Sequence, residues 1–578
     1  MHEEINSNNT VAVSFIEKLK EYNVNFIFGT TGAGMAELQD ALSFEGYPLW
    51  IQSLHEFPAV SFAEGYSLAA EKVGVTMLDR IVGIQNAIGA LYSSYLNFAP
   101  ILILSSRDAP GINIGNNINS HYSSDHLNIV RPWVKWATNI EAKETINYDL
   151  AKALYLSNLE PRGITMLTLR HDVMRQKQKK INSPTKEGYY NFKIPDNETI
   201  KKISDLLLTY NKPEILISHA GRNKNYVYSI VSFAEKYGLK VRERRYFMNY
   251  PSNNPLHTGF IGGEMPPDFK DDDLLILMEL GFLPGSMIDP ELKKINFTAD
   301  ILNGKEVYIG GDYGSETLFN SLDIECDLGP TLDKIIAFKE ITNEDLKIIC
   351  ERKHKIQEEH NKLISFWDGK GLMEYSKEHM NPISLGFVIN KYWEKNFTLI
   401  NGELGYYNEL VNTIHLDMPG SYFSNPSAHL GSAMGMAGGV FLGKNEINYI
   451  NGINDYNPVF CITGDGDAIF SNLNSILWSA KHYGLGIIFI IINNGAWRVE
   501  WPYFERTENK YIIKNKDTKF VNLDNPRTDF SKIAESYKIL SKRVEDIQTF
   551  EKFLLQAINQ SKHGEPVLID FIMEQFKQ

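Results

Sequence analysis

Pro458-Val-Phe-Cys-Ile-Thr-Gly464-Asp465-Gly466 reads as an apolar strand closed by a tight acidic turn, and Gly486-Ile-Ile-Phe-Ile-Ile-Ile-Asn493-Asn494 as a second one closed by two carboxamides. Short apolar runs bounded by turn residues are the pattern of buried strands. Between them, Asp467 to Tyr483 repeats at helical period, with Ile469, Leu473, Ile476, Leu477 and Ala480 on one face. The expected unit is βαβ. Side chains at two adjacent carboxyl-terminal strand ends can hold one hard cation from two directions. Asp465 offers a carboxylate oxygen, Asn494 an amide oxygen, and the main-chain carbonyl of Ala496 a third ligand. Gly464, Asp465, Gly466 and Asp467 form the diphosphate side, with Gly466 leaving room for a phosphate at the following helix N-terminus. The pattern predicts a diphosphate bridged by Mg²⁺. Gly-Asp-Gly alone is mostly a turn and Asn-Asn-Gly alone mostly a loop; the pair at this spacing is far more specific.

A chain of 578 residues is too long for one core and suggests three or four domains. A 43% apolar, 22% charged composition is that of a soluble globular protein. The net charge of −13 argues against a nucleic-acid or anionic-membrane partner. Cys326, Cys350 and Cys461 lack metal-ligand spacing and suit a reducing compartment. The polar, acidic start is unlike a secretory signal, and no run approaches the ~20 apolar residues of a membrane span. The expectation is a cytoplasmic protein.

Three α/β blocks follow one another: residues 1–178, 197–345 and 375–578. The first has a helix at Val11–Tyr22 and strands at Phe26–Phe28, Arg80–Ile84, Ile101–Ser105 and Ile164–Leu169. Arg175–Asp196 reads as a linker. The second block has a helix at Ile200–Thr209, a strand at Glu214–Ser218, a helix–strand pair over Val227–Val241, and strands at Leu274–Met278 and Glu306–Ile309. Thr342–Glu374 reads as a charged surface helix. Strands at Thr398–Asn401, Val459–Thr463, Gly486–Ile492 and Pro566–Phe571 belong to the third block. Alternating strands and helices predict an α/β fold of three consecutive doubly wound parallel sheets.

The Gly-Asp-Gly and Asn-Asn pair resembles the thiamine diphosphate (ThDP) enzymes, and the resemblance covers nearly the whole chain. It implies a pyrimidine-binding (PYR) domain first, a Rossmann-like central domain without cofactor duties, and a diphosphate-binding (PP) domain last. Leu54-His55-Glu56 followed by Glu64-Gly65-Tyr66 matches the family's His-Glu motif and carries its catalytic glutamate onto Glu56, beside the cofactor's pyrimidine. Burial there raises a carboxyl pKa and suits it to share a proton. Glu64 is assigned a solvated or structural role. Gly83 and Asn86 take the places of the family's Gly-Pro-Gly loop and its asparagine, though the proline and first glycine are missing. Ala33 stands where pyruvate decarboxylases commonly place an aspartate that assists proton handling. Met434, before Gly435, aligns with the wedge that bends the cofactor, and Gly405, in Gly402-Glu403-Leu404-Gly405, with a diphosphate-binding turn.

The resemblance further implies loss of CO₂ from a 2-oxo acid to give an enamine, followed by attack on a second carbonyl. The nearest label is an acetolactate synthase-like lyase/carboligase. A simple 2-oxo acid decarboxylase releasing an aldehyde is the alternative. Glu500, six residues after Asn494, and His121 fit active-site positions of that second class. Trp497, Arg498 and Trp501 are candidates for the substrate pocket, Arg498 as a carboxylate partner. Leu277-Met-Glu-Leu-Gly281-Phe-Leu-Pro replaces the family's flavin-contacting segment, so FAD is not expected. Since one site needs both terminal domains, and in this family they come from different subunits, a homodimer or homotetramer is implied. A catalytically silent ThDP-binding partner subunit is the remaining alternative, prompted by the altered Gly83–Asn86 loop.

Overall fold

The computed structural model describes residues 9–44, 46, 48–109, 126–178, 192–261, 273–280, 291–299, 321–403, 405–425, 429–516 and 518–573. Its strands form three six-stranded sheets. The first contains β1 (Phe26–Gly29), β2 (Leu49–Gln52), β3 (Gly74–Leu78), β4 (Ile101–Arg107), β5 (Trp136–Ile140) and β6 (Ile164–Arg170), ordered β2-β1-β3-β4-β6-β5. All its pairs are parallel.

The second holds β7 (Pro213–Ile217), β8 (Lys240–Glu243), β9 (His257–Phe260), β10 (Leu274–Met278), β11 (Lys293–Thr298) and β12 (Ser321–Glu325), ordered β12-β11-β10-β7-β8-β9. That is the dinucleotide-fold order, with its switch point between β7 and β10. Here the two strand ends are tied by the chain's own groups. Ser218 Oγ donates to the Glu279 carbonyl at 2.7 Å, and Arg222 lies 3.2 Å from the Glu279 carboxylate.

The third holds β13 (Thr398–Asn401), β14 (Tyr422–Ser424), β15 (Val459–Gly464), β16 (Ile487–Asn493), β17 (Leu540–Val544) and β18 (Val567–Ile572), ordered β14-β13-β15-β16-β18-β17. The first and third sheets therefore share one winding. Every residue of β3, β7, β10 and β16 is buried, which accounts for the apolar runs Leu274–Met278 and 487–492.

The described residues within Met1–Gly188, Asn425–Arg543 and Gln556–Asp570 form one compact unit, and those within Tyr189–Ser424, Val544–Leu555 and Phe571–Gln578 another. In the first unit, helix Glu56–Ala70 packs on helix Ser432–Lys444. A Cβ on Gly65 would lie 2.0 Å from the Met436 carbonyl oxygen, and one on Gly439 1.9 Å from that of Phe62. Backbone meets backbone here, so no side chain could shift to relieve an added methyl.

Beneath this crossing, Glu64 is fully buried, which corrects the solvated alternative and leaves the structural one. Asn97 Nδ2 donates to it at 2.6 Å, Ser94 Oγ at 3.1 Å and Ser93 Oγ at 3.2 Å. Burial pushes its pKa up to about 7 despite these donors. The folded state then holds a proton that the unfolded state, near 4.5, releases, so stability falls as pH rises from about 4.5 to 7. Glu64→Gln is expected to remove this fall, on the order of 3 kcal/mol by linkage. Urea unfolding of both proteins at pH 5 and pH 8 checks it.

The structure corrects two sequence readings. Arg80–Ile84 is the start of helix Arg80–Leu96, and the strand lies one step earlier, at β3. Ile81, Ile84, Ala87, Ala90 and Leu91 are buried at helical spacing, a period the five-residue window was too short to reveal. The Asp467–Tyr483 helix is two helices, Asp465–Phe470 and Leu473–His482, broken at Asn472 with φ 57°. The break turns Ile469 outward, 49% exposed, while Leu473, Ile476, Leu477 and Ala480 stay in the core. The charged helix is one 34-residue element, Asn343–Ser376, started by a capping box of Thr342 and Asp345. The Glu306–Ile309 strand lies outside the described residues. Among those described, no helix is long and apolar enough to cross a membrane.

Candidate active site

The candidate residues gather at the carboxyl ends of strands in two sheets. In the first, the order β2-β1-β3 makes β1 and β3 the switch point, where doubly wound folds bind ligands. Glu56 opens the helix after β2, with His55 as its N-cap. Thr30 Oγ1, just past β1, donates to Glu56 Oε1 at 3.1 Å, and Asn86 Nδ2 donates to Oε2 at 3.1 Å. Gly83 gives the carboxyl its space, since a Cβ there would sit 3.3 Å from Glu56 Cγ and Oε1. Gly83 and Asn86 thus stand beside Glu56 from the first turns of a helix rather than from a loop. Each carboxyl oxygen has one donor, which orients the group.

In the third sheet, Asp465 follows β15 and Asn494 follows β16. Asp465 Oδ1 accepts from Gly466 N–H at 2.8 Å, and Oδ2 from Gly495 N–H at 2.7 Å, joining the two strand ends. Gly495, with φ +69°, makes the turn that a side chain would strain. Burial pushes the Asp465 pKa up to about 6. The two asparagines divide their work. Asn493 is structural, its amide donating to Asp570 Oδ1 at 2.9 Å while Arg527 Nε donates to its Oδ1 at 3.0 Å. Asn494 folds back, its Oδ1 accepting from Ala496 N–H at 2.8 Å, an Asx turn. The Ala496 carbonyl accepts from Arg498 N–H at 2.9 Å and keeps a second lone pair. One carboxylate and two neutral oxygens suit a small hard cation that keeps water or phosphate oxygens for its remaining positions. Among the described residues no group of three or more His, Cys, Asp or Glu is placed to hold a metal ion.

Other expected residues fall differently. Gly464 ends β15 and caps the short helix. Asp467 is buried and structural in its contacts: Gly431 N–H donates to its Oδ1 at 2.6 Å and Thr463 Oγ1 to its Oδ2. Met434 is fully buried, its sulfur accepting from Ser471 Oγ at 3.4 Å. The space expected above Gly466 is filled by Trp497, since a Cβ on Gly466 would lie 2.1 Å from the indole. Trp501 is buried, and Glu500 is exposed on the turn Arg498–Glu500. Gly405 belongs to the other compact unit, where its N–H donates to Glu403 Oε1 at 2.7 Å. His121 lies outside the described residues. Sequence reasoning missed Thr30, Asp79 and His429, whose ring lies 5.7 Å from that of Phe57 and against Gly89. Only the spacing of Thr30 after β1 could have flagged one of them.

Residues 9–115 match the thiamine pyrophosphate enzyme N-terminal TPP binding domain, and residues 404–571 the C-terminal TPP binding domain. The chain is 23% identical to the acetolactate synthase large subunit of Buchnera aphidicola over 96% of its own length and 93% of the relative's. It is 20% identical to benzoylformate decarboxylase of Pseudomonas aeruginosa over 97% and 98%. Its fold is that of the Rhodococcus jostii 4-hydroxybenzoylformate decarboxylase, with a TM-score of 0.79, 18% identity, and 99% and 100% of the two chains covered. With ThDP-binding domains at both ends and relatives aligned along its length, the chain belongs to the thiamine diphosphate-dependent enzymes of the acetolactate synthase / 2-oxo acid decarboxylase type.

Proposed function

We propose that this carboligase/decarboxylase removes CO₂ from a 2-oxo acid and joins the remaining fragment to a second carbonyl, as an acetolactate synthase does. The observation that carries the reading is the Glu56 carboxyl held by Thr30 and Asn86 at the β1/β3 switch point, in a chain whose Asp465 and Asn494 close β15 and β16. ThDP, when bound, would supply a nucleophilic carbon and a sink for the electron pair left by CO₂. Glu56 holds the proton exchanged with the cofactor's pyrimidine ring. Asp465, Asn494 and the Ala496 carbonyl would hold Mg²⁺, with Gly464, Gly466 and Asp467 shaping the turn. Met434 is the candidate for the wedge that bends the cofactor and Gly405 for a diphosphate-binding turn, and Glu500, His121 and Arg498 are candidates for substrate chemistry. The domains are 1–178 (PYR), 197–345 (central) and 375–578 (PP).

FAD has no role in this reading. What supports that is the β7/β10 crevice bridged by Ser218, Arg222 and Glu279. A homodimer or homotetramer in the cytoplasm is part of the same proposal. Leu54, Ile469, Phe470 and Val499, next in sequence to candidate site segments, are 40–54% exposed, and exposed apolar groups of this kind mark association surfaces.

Purified chain incubated with pyruvate, ThDP and Mg²⁺ tests the function. The expected products are CO₂ and a hydroxy ketone. Free aldehyde in stoichiometric amount would replace this reading with the simple decarboxylase, and no CO₂ from pyruvate or from a panel of larger 2-oxo acids would remove both.

A further inference from the structure

Asp79 directly follows β3, so it stands at the β1/β3 switch point with Thr30 and Glu56. It occupies in the first sheet the place that Asp465 occupies in the third, just past the third strand of the shared winding. Asp79 is also the N-cap residue of helix Arg80–Leu96, yet its side chain makes no capping hydrogen bond. A capping aspartate ordinarily turns back onto the helix's first N–H groups. This one turns toward the loop after β1. A Cβ on Gly32 would lie 2.5 Å from Asp79 Cγ, and one on Gly34 2.3 Å from Oδ1. The carboxylate therefore flanks Ala33 on both sides. Ser106 Oγ, on β4, donates to Oδ1 at 3.1 Å. Among the described residues no donor meets Oδ2.

The cations nearest in sequence and space are engaged by other carboxylates. Arg80, its neighbour, lies 3.0 Å from the Asp108 carboxylate, and His171 Nε2 is 4.0 Å from Asp108 while its Nδ1 is 3.1 Å from Glu37. The loop side contributes only Gly32, Ala33 and Gly34, which carry no charge. Glu56 is the other carboxyl of the crevice, and its two oxygens are oriented by Thr30 and Asn86.

We infer that Asp79 is a second catalytic carboxyl of this site, the acid that delivers a proton to the substrate. The inference rests on the function proposed above. When the new C–C bond forms, the acceptor's C=O π pair moves onto its oxygen, which takes the proton from Asp79. The carboxylate recovers a proton from solvent, so one proton is taken up for each CO₂ released. If the product is an aldehyde, the same proton goes to carbon.

Asp79→Ser separates this role from a structural one, because serine is a good N-cap and could improve the helix start. The expected result is a kcat lowered roughly 100-fold or more, as for loss of a general acid. KM, ThDP affinity measured by titration and the urea midpoint should stay near wild type. A kcat within threefold of wild type, or a loss matched by equal losses of ThDP binding or stability, overturns the inference. Wild-type protein assayed alongside distinguishes the two failures. An inactive wild type removes the proposed function and the role of Asp79 with it, whereas an active wild type beside an active Asp79→Ser removes the role alone.

Discussion

Glu56→Gln is expected to lower turnover by about 10²- to 10⁴-fold, the range for removing a positioned acid–base group, while ThDP still binds. The substitution keeps shape and volume in the space that Gly83 leaves open. An amide oxygen can still accept from Thr30 Oγ1, so the local fold survives. What is lost is the exchangeable proton. On the other side Asn86, which donates to Oε2, would face an NH₂ group and must turn its own amide over. Steady-state kinetics with a ThDP titration of the same protein checks this. Unchanged turnover would take Glu56 out of its role.

Asp465→Asn is expected to weaken Mg²⁺-dependent ThDP binding by on the order of 100-fold, as loss of groups that hold and support a metal does. The carboxylate has two tasks that an amide cannot both perform. Its oxygens accept from Gly466 N–H and Gly495 N–H, and asparagine has only one acceptor for these two donors. One buried N–H is left unsatisfied, costing about 1–3 kcal/mol of stability. The negative charge that would offset the cation is also gone. A titration of ThDP at fixed Mg²⁺, with urea unfolding as the measure of the structural part, resolves the two effects. Wild-type ThDP affinity in Asp465→Asn would exclude it as the metal's carboxylate.

The two strand ends of the proposed metal side were legible because their signal is local. Gly464–Gly466 and Asn493–Asn494 sit at the ends of two largely apolar strands, and their spacing encloses the connecting helices. The sequence points to Asn494 as the ligand, but the structural tie of Asn493 to Asp570 and Arg527 was not legible, since it spans 77 and 34 residues. The proposed proton-handling side was half legible. Glu56 came through its motif, but Asp79 could not. With the strand placed at Arg80–Ile84, Asp79 stood before a strand instead of after one, and its meaning depends on lying at a carboxyl end. Short apolar windows do not separate strand from buried helix, and here the helix won by burying Ile84, Ala87 and Leu91 on one face. Edge strands were missed for a related reason: β5 and β17 are mostly half-buried and carry no clear apolar run. Without them the common winding of the first and third sheets, which equates Asp79 with Asp465, stayed hidden.

The shared site is tested most directly by equilibrium titration of ThDP into the purified chain, once with Mg²⁺ and once with a chelator. The expected result is saturable binding of one ThDP per chain with Mg²⁺, lost in the chelator and weakened in Asp465→Asn but kept in Glu56→Gln. Absence of saturable binding at millimolar ThDP with Mg²⁺ present would contradict the account.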